Sequence, residues 1–187
     1  MMIAGPIVWP ERLVAASLEH WGRLDTLVNN AGTTALIPHH DLPAASVDVW
    51  RRIFEVNVFG TWAMSVAAMP ALRESQGSIV NITSIAGVRP TGSSIPYAAS
   101  KAALNHLTVL LAKVVGPDVR VNAVAPGLVD TPWTKDWDLA REVIQQLAPL
   151  KRSGRPDDVA EVVLALTRAT YVTGQVVCVD GGTTIAT

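Results

Sequence analysis

Tyr97 and Lys101 are the residues of this chain whose types and spacing point most directly to acid–base chemistry. They lie four positions apart in YAASK (97–101), within a segment of helical apolar spacing, so their side chains should share one face of a helix. A free phenol has a pKa of about 10, and a nearby ammonium favours the phenolate and lowers that pKa. The pair could therefore act as an acid or a base at physiological pH. The alternative is a helix-surface Tyr and Lys without a function, because YxxxK alone is a weak pattern.

Ser84 and Asn57 are two further polar residues whose positions suggest a function. Ser84 follows an apolar run and precedes Tyr97 by thirteen residues. Its hydroxyl could hold a substrate oxygen beside the phenol, or it could make a local turn bond. Asn57 falls in the middle of a predicted helix, which is an unfavourable place for Asn, and a packing or water-binding role would explain it there.

Short apolar runs alternate along the chain with longer segments of helical periodicity. Ser46 suits a helix N-cap, and Pro96 suits a first helical turn. Pro70 should kink its helix or mark a new turn. The predicted helices cover 11–22, 46–75, 96–115, 137–147 and 156–169, and the predicted strands cover 24–28, 78–84, 118–126 and 175–180.

This alternation predicts a single α/β domain over residues 1–187, with a parallel sheet covered by helices on both faces. In such folds ligands bind beyond the carboxyl ends of the strands. Three small-residue or polar segments follow predicted strands in this way: NNAG (29–32), ITSIAG (82–87) and APGLVDT (125–131). We therefore expect the functional site at that edge of the sheet.

The composition argues against several classes of protein. Hydrophobic residues make up 49% and charged residues 17%, and the net charge of −1 does not favour nucleic acid or an anionic membrane. Apolar stretches are too short or too polar to span a bilayer, and a basic signal-peptide start is lacking, which favours a cytoplasmic address. The four histidines lack metal-ligand spacing and are expected at the surface or a pocket rim. Cys178 is expected to be a buried structural thiol.

Together these motifs resemble those of the short-chain dehydrogenase/reductase family. They occur in the family's order and at similar intervals, from about Glu11 to Gly182. The matching stretches are NNAG (29–32), EVNVFG (55–60), VNITSIAG (80–87), YAASK (97–101), VNAVAPG (121–127) and VTGQVVCVDGG (172–182). The resemblance implies a Rossmann-like fold and reversible hydride transfer between NAD or NADP and a carbonyl or alcohol. It does not indicate which of the two dinucleotides is used.

The resemblance also implies roles for individual residues. Tyr97 would be the general acid in carbonyl reduction or the base in alcohol oxidation, and Ser84 would hydrogen-bond the substrate oxygen. Lys101 would lower the pKa of Tyr97 and bind the nicotinamide ribose. Asn57 would hold a water that links Lys101 to a proton relay. The other cofactor-binding residues would be Asn30, Ala31 and Gly32 after the first predicted strand, with Pro126, Gly127, Val129 and Thr131 around the nicotinamide.

The glycine-rich TGxxxGxG segment of the family does not occur in the 187 residues. In the family its glycines let backbone N–H groups approach the pyrophosphate. We therefore expect an N-terminally truncated member that lacks the first strands of the doubly wound fold, with Met1–Val8 in the place of the third strand. We also expect weak dinucleotide binding. Three interpretations remain open: a working oxidoreductase, a non-catalytic relic or interaction subunit, or a start site assigned too far downstream.

The resemblance raises expectations about partners as well. Without the first strands, LDTLV (24–28) would be a sheet edge that could pair with another chain. The family commonly dimerises through two long helices, which correspond here to 46–75 and 96–115. We therefore expect a homo-oligomer acting on a small molecule, without nucleic acid, membrane or metal.

The substrate itself is largely unreadable from the sequence. The pocket should draw on residues 33–40, 86–95 and 128–150. Trp133 and Trp137 would suit an apolar ketone or alcohol, or they could serve only to pack a lid helix.

Overall fold

The computed structural model describes residues 9–186, and the predicted elements within that range are present. The third strand expected at residues 1–8 lies outside the described part of the chain. The helices are α1 (Trp9–Trp21), α2 (Val47–Phe54), α3 (Thr61–Ser75), α4 (Ile95–Val115), α5 (Asp138–Leu147) and α6 (Pro156–Arg168), and the strands are β1 (Thr26–Asn29), β2 (Ser78–Ile82), β3 (Arg120–Pro126) and β4 (Val176–Val179).

The four strands form one parallel sheet in the order β1-β2-β3-β4, which confirms the α/β class. Each strand is joined to the next by a connection that contains helix, as parallel pairing requires. Among residues 9–186, β1 pairs only with β2, so the edge predicted at LDTLV is present. The apolar side chain of Val28 on that edge is 42% exposed.

The two central strands are buried on both faces. Ile79 and Val121 pack on one face with residues of α3 and α4, including Leu72 and Leu111. Val80 and Val124 pack on the opposite face with Leu166 of α6. All four strand side chains are fully buried. Since burying such a side chain contributes about 1.5–3 kcal/mol, these two layers hold the sheet and the strand ends in place.

The predicted helix over 46–75 is interrupted, and not where Pro70 led us to expect. Ser46 caps α2 as predicted, by accepting a hydrogen bond from the backbone N–H of Val49. A π-helical turn over Glu55–Gly60 then separates α2 from α3. Pro70 lies inside α3, on its exposed side, and the helix continues through it. The irregular turn carries Asn57, and such turns often occur at functional sites.

Cys178 is exposed, so the expectation of a buried structural thiol is wrong. Val177 and Val179 pack toward α6 on one face of β4. Cys178 lies between them and therefore points to the opposite face. That face of the outer strand leaves Cys178 exposed, which alternation in the sequence alone does not reveal.

Across residues 9–186, no helix is both long enough and apolar enough to cross a bilayer.

Candidate active site

Tyr97 and Lys101 lie on successive turns at the start of α4. Ser94 is the N-cap of this helix, and its hydroxyl accepts a hydrogen bond from the backbone N–H of Tyr97 at 3.4 Å. Pro96 fits the first turn, where a missing N–H has no cost. The Lys101 ammonium nitrogen is 5.7 Å from the centroid of the Tyr97 ring, so the predicted shared face is present.

The Lys101 ammonium is buried beside the end of β2. Its side chain is only 4% exposed, and Nζ donates a hydrogen bond to the carbonyl of Ile82 at 2.9 Å. Burial disfavours the charged form and lowers the pKa of Lys101 to about 8. An ammonium has three hydrogens, and within residues 9–186 the Lys101 ammonium donates only to the Ile82 carbonyl. Two hydrogens are therefore available to hydroxyl groups of a ligand.

The pKa of Tyr97 is shifted mainly by the burial of its phenol. Desolvation raises the pKa of Tyr97, and a hydrogen bond with the Ser84 hydroxyl opposes that shift. The lowering expected from Lys101 is therefore not found: the pKa of Tyr97 is raised, and the opposing effect comes from Ser84. Ser84 is 9% exposed, and it also makes the local turn bond considered as the alternative, since its hydroxyl accepts from the backbone N–H of Ala86 at 3.1 Å. The phenol is held protonated at neutral pH, next to a second hydroxyl.

Asn57 is fully buried, and the π-helical turn directs its amide toward two other segments. Its Oδ1 accepts from the backbone N–H of Thr33 at 2.8 Å, and its Nδ2 donates to the carbonyl of the same residue at 3.0 Å. The second Nδ2 hydrogen goes to the hydroxyl of Ser100 at 2.9 Å. This packing role explains an Asn in the middle of a helical segment.

Gly32 completes the group of residues around the Lys101 ammonium. A Cβ added at Gly32 would lie 3.5 Å from Oδ1 of Asn57 and 3.6 Å from Nζ of Lys101. Gly32 itself is exposed, as are Asn30 and Ala31, at the end of β1. An accessible backbone beside a buried cationic donor suits a ribose and its neighbouring ring. The residues present therefore fit the nicotinamide half of a dinucleotide.

The remaining predicted cofactor residues lie at the end of the neighbouring strand β3. Pro126 is buried, and Gly127 packs so closely on Asp180 that an added Cβ would come within 2.9 Å of the Asp180 Cβ. Val129 forms a bridge with Gly154, and the backbone N–H of Thr131 donates to the hydroxyl of Thr134 at 3.1 Å. The loop that follows β3 is thus held in place by the contacts of Gly127, Val129 and Thr131.

A cavity of about 450 Å³ opens between two of the three segments predicted to form the substrate pocket. Its lining residues are Leu36, Ile37, Pro38, His39, Pro90, Thr91, Gly92 and Ser93. An added Cβ at Gly92 would lie 3.5 Å from Cδ1 of Tyr97, so this wall of the cavity adjoins the phenol. His39 bonds the carbonyl of Gly92 at 3.1 Å, as a pocket-rim histidine should.

The third predicted segment, 128–150, lies outside the lining of this cavity. It contains α5, which buries none of its residues. Trp133 is 53% exposed and Leu139 is 79% exposed, whereas Trp137 is half-buried. Trp133 and Leu139 therefore bury little of their apolar surface within the chain.

Ser100 is a site residue that the sequence reasoning did not identify, and Thr33 was included only as part of the predicted pocket segment 33–40. Ser100 lies inside YAASK itself, and Thr33 directly follows NNAG. Both positions were therefore inside or beside recognised motifs. Their role depends on the contacts of Asn57, which connect segments far apart in sequence and could not be inferred from spacing.

Known proteins that are similar in sequence are named as reductases. A family model described as enoyl-(acyl carrier protein) reductase matches residues 10–184. A protein of Streptomyces violaceoruber assigned as ketoacyl reductase 2 of the granaticin polyketide synthase is 61% identical over 175 residues, covering 91% of this chain and 70% of the relative. The 3-oxoacyl-[acyl-carrier-protein] reductase FabG of Thermotoga maritima is 38% identical over 182 residues, covering 94% of this chain and 72% of the relative.

Solved structures show the same fold. A crystal structure assigned to a short-chain dehydrogenase/reductase of Burkholderia xenovorans superposes with a TM-score of 0.87 at 41% identity, covering 94% of this chain and 71% of that one. The structure of ElxO with NADP bound superposes with a TM-score of 0.85 at 28% identity, covering 94% and 73% of the two chains. The chain therefore belongs to the short-chain dehydrogenase/reductase family of oxidoreductases.

Proposed function

We propose that this chain carries the catalytic residues for reversible hydride transfer between NAD(P) and a carbonyl or alcohol, with Tyr97 as the acid or base. The observation that carries the proposal is the partly buried phenol of Tyr97 next to the Ser84 hydroxyl and the Lys101 ammonium. A proton donor with a second hydroxyl and a buried cation beside it suits the reduction of a carbonyl.

The protonation state of Tyr97 favours the direction of reduction. Because burial raises the pKa of Tyr97, the phenol keeps its proton at neutral pH and can donate it to the oxygen of a ketone. Ser84 would donate a hydrogen bond to that same oxygen and hold it near the phenol. In alcohol oxidation Tyr97 would have to give up its proton first, so we expect oxidation to need a higher pH.

Lys101 and Asn57 would act behind the phenol. The two hydrogens of Lys101 that do not reach Ile82 would bind the ribose hydroxyls, and the positive charge would favour transfer of the Tyr97 proton. A water held near Asn57 would return a proton to Lys101. Since the pKa of Lys101 is lowered to about 8, we expect the rate of reduction to fall as pH rises above that value.

The dinucleotide supplies the hydride, and the protein orients it and polarises the carbonyl. Its nicotinamide half would contact the ends of β1 and β3. The residues concerned are Asn30, Ala31 and Gly32, Tyr97 and Lys101, and Pro126, Gly127, Val129 and Thr131. The 187 residues contain no TGxxxGxG to receive the pyrophosphate, so we propose that they bind the dinucleotide weakly by themselves. Isothermal titration with NADH and NADPH tests this, and micromolar affinity would contradict it.

A β-ketoacyl thioester is the substrate class that we propose. Two relatives carry the names of ketoacyl or 3-oxoacyl reductases, and the family model is named for an acyl-carrier-protein reductase. The cavity beside Tyr97 has apolar side chains from Leu36, Ile37 and Pro38, which suit an acyl chain next to the keto group.

The direct test is reduction of acetoacetyl-coenzyme A and of a longer β-ketoacyl thioester, followed by loss of NADPH or NADH absorbance. Turnover of the thioesters is expected, with simple aliphatic alcohols as poor substrates in the reverse direction. Turnover of alcohols or sugars without any reduction of β-ketoacyl thioesters would contradict the proposed substrate class.

We also propose a homo-oligomer formed through the long helices. Apolar side chains are exposed along both: Phe59, Trp62 and Val66 around α3, and Val109, Leu110 and Val114 on α4. A contiguous apolar surface formed by such side chains would mark an interface. Light scattering coupled to size exclusion should give a dimer or larger species, and a monomer at micromolar concentration would contradict the proposal.

A further inference from the structure

Ser100 is a fully buried hydroxyl between Tyr97 and Lys101 on α4. It accepts a hydrogen bond from Nδ2 of Asn57 at 2.9 Å. It also donates to the backbone carbonyl of Tyr97 at 2.7 Å. Ser100 thus contacts the backbone of the proposed proton donor and the side chain of a residue on another helix.

These bonds form part of a continuous connection across the site. Asn57 uses its amide oxygen and one amide hydrogen on the backbone of Thr33, the residue after NNAG. Its second amide hydrogen reaches Ser100. The loop at the end of β1 is therefore linked through Asn57 and Ser100 to the carbonyl of Tyr97.

We propose that Ser100 is a positioning residue that fixes Tyr97 relative to the loop proposed to hold the nicotinamide. Without its hydroxyl, one amide hydrogen of Asn57 would lose the acceptor it has at this fully buried position. Asn57 would then shift toward another acceptor, and the first turn of α4 would lose its link to Thr33. The inference rests on the proposed hydride transfer at Tyr97.

A serine that bonds a carbonyl of its own helix is common, so a matched control is needed. Thr108 provides one on the same helix. It is also fully buried, accepts from Nδ2 of Asn81 at 2.9 Å and donates to the carbonyl of Leu104 at 2.9 Å. The two hydroxyls make the same kind of bridge, but Thr108 lies two turns farther from Tyr97 than Ser100 does.

Steady-state kinetics of Ser100→Ala and Thr108→Val provide the first test. Ser100→Ala should lower kcat about tenfold or more, because small displacements of reacting groups are costly, while KM for the carbonyl compound changes less than about twofold. Thr108→Val should leave both constants within about twofold of wild type. An unchanged kcat in Ser100→Ala, or an equal loss in the two variants, would overturn the proposal.

A second measurement works even if no carbonyl compound is turned over. Tyr97 and Tyr171 are the two tyrosines of the chain, so labelling tyrosine with ¹³C at Cζ gives two signals, and Tyr171→Phe assigns them. Ser100→Ala should move the Tyr97 signal and lower its titration midpoint, because a loosened first turn admits water. Thr108→Val should leave the signal in place. A Tyr97 signal that Ser100→Ala does not move would overturn the positioning role, whereas absent turnover would count only against the proposed function.

Discussion

The start of α4 and the segment that carries α5 differ in how deeply their residues are buried and in how they are hydrogen-bonded. Around Tyr97, the side chains of Asn57 and Ser100 are fully buried, and the amide of Asn57 is hydrogen-bonded at every position. In contrast, α5 buries none of its residues. The difference teaches that the geometry is fixed by buried hydrogen bonds where we propose proton transfer, and is held mainly by surface contacts where we expect a substrate to enter.

One arginine makes most of the polar contacts that hold α5. The guanidinium of Arg141 donates to the carboxylates of Asp130 and Asp138 at 2.8 and 2.9 Å and to two backbone carbonyls between them. Its side chain is 22% exposed, so these bonds are only partly screened by water. They link α5 to the loop that follows β3.

The largest effect on stability should come from removing the amide of Asn57. Asn57→Leu keeps a similar volume but leaves the N–H and C=O of Thr33 and the hydroxyl of Ser100 without this partner. Each buried polar group left unpaired costs about 1–3 kcal/mol, so we expect a loss of about 4 kcal/mol in the free energy of unfolding. Urea denaturation measures it.

Asn105→Leu is the matched control for that variant. Asn105 is on α4 and donates one hydrogen bond, from Nδ2 to the carbonyl of Gly87 at 3.0 Å. Its buried Oδ1 has no hydrogen-bond partner among the described residues. We expect a loss of about 1 kcal/mol or less. Equal losses in the two variants would show that the hydrogen bonds of Asn57 stabilise the fold no more than the single bond of Asn105 does.

The buried charge of Lys101 should make stability depend on pH. Its pKa is lowered from 10.5 to about 8 in the folded protein, so between those values the unfolded chain holds more protons and the free energy of unfolding rises with pH. Below about pH 8 the cost of burying the charge is fully present. Lys101→Met should therefore be more stable than wild type at pH 7 by up to about 3 kcal/mol.

That advantage of Lys101→Met should shrink as pH rises from about 8 toward 10.5. Lys113 is exposed on the same helix, and Lys113→Met should follow the wild-type pH dependence. Thermal unfolding across this pH range measures both variants. A constant difference between Lys101→Met and wild type would mean that Lys101 does not titrate as its burial requires.

A smaller effect, confined to substrate binding, should follow from loosening α5. Arg141→Gln removes the ion pairs with Asp130 and Asp138, and we expect KM for the carbonyl compound to rise about threefold to tenfold with little change in kcat. The free energy of unfolding should change little, since the pairs are near the surface. Arg51→Gln breaks an exposed pair with Asp48 and should change neither quantity. A large fall in kcat for Arg141→Gln would contradict the separation of the two regions.

Local sequence patterns were sufficient to predict the elements that position the site. Alternating apolar runs and helical periodicity placed the described strands and α1, α4, α5 and α6 to within a few residues, whereas α2 and α3 were predicted as one helix. The motif order brought Ser84, Tyr97 and Lys101 to the same strand ends. What the patterns missed depends on contacts between distant segments. Asn57 lies in the π-helical turn and bonds Thr33 and Ser100, which are distant from it in sequence. The raised pKa of Tyr97 follows from burial, and the exposure of Cys178 follows from which face α6 covers.

The central claim is that Tyr97 donates the proton in carbonyl reduction, and a comparison of the two tyrosines tests it most directly. Tyr97→Phe removes the buried phenol, whereas Tyr171→Phe removes a fully exposed one. With a β-ketoacyl thioester and NADPH or NADH, we predict that Tyr97→Phe lowers kcat by about a thousandfold while the protein stays folded, and that Tyr171→Phe retains wild-type turnover. Equal turnover in the two variants would contradict the account.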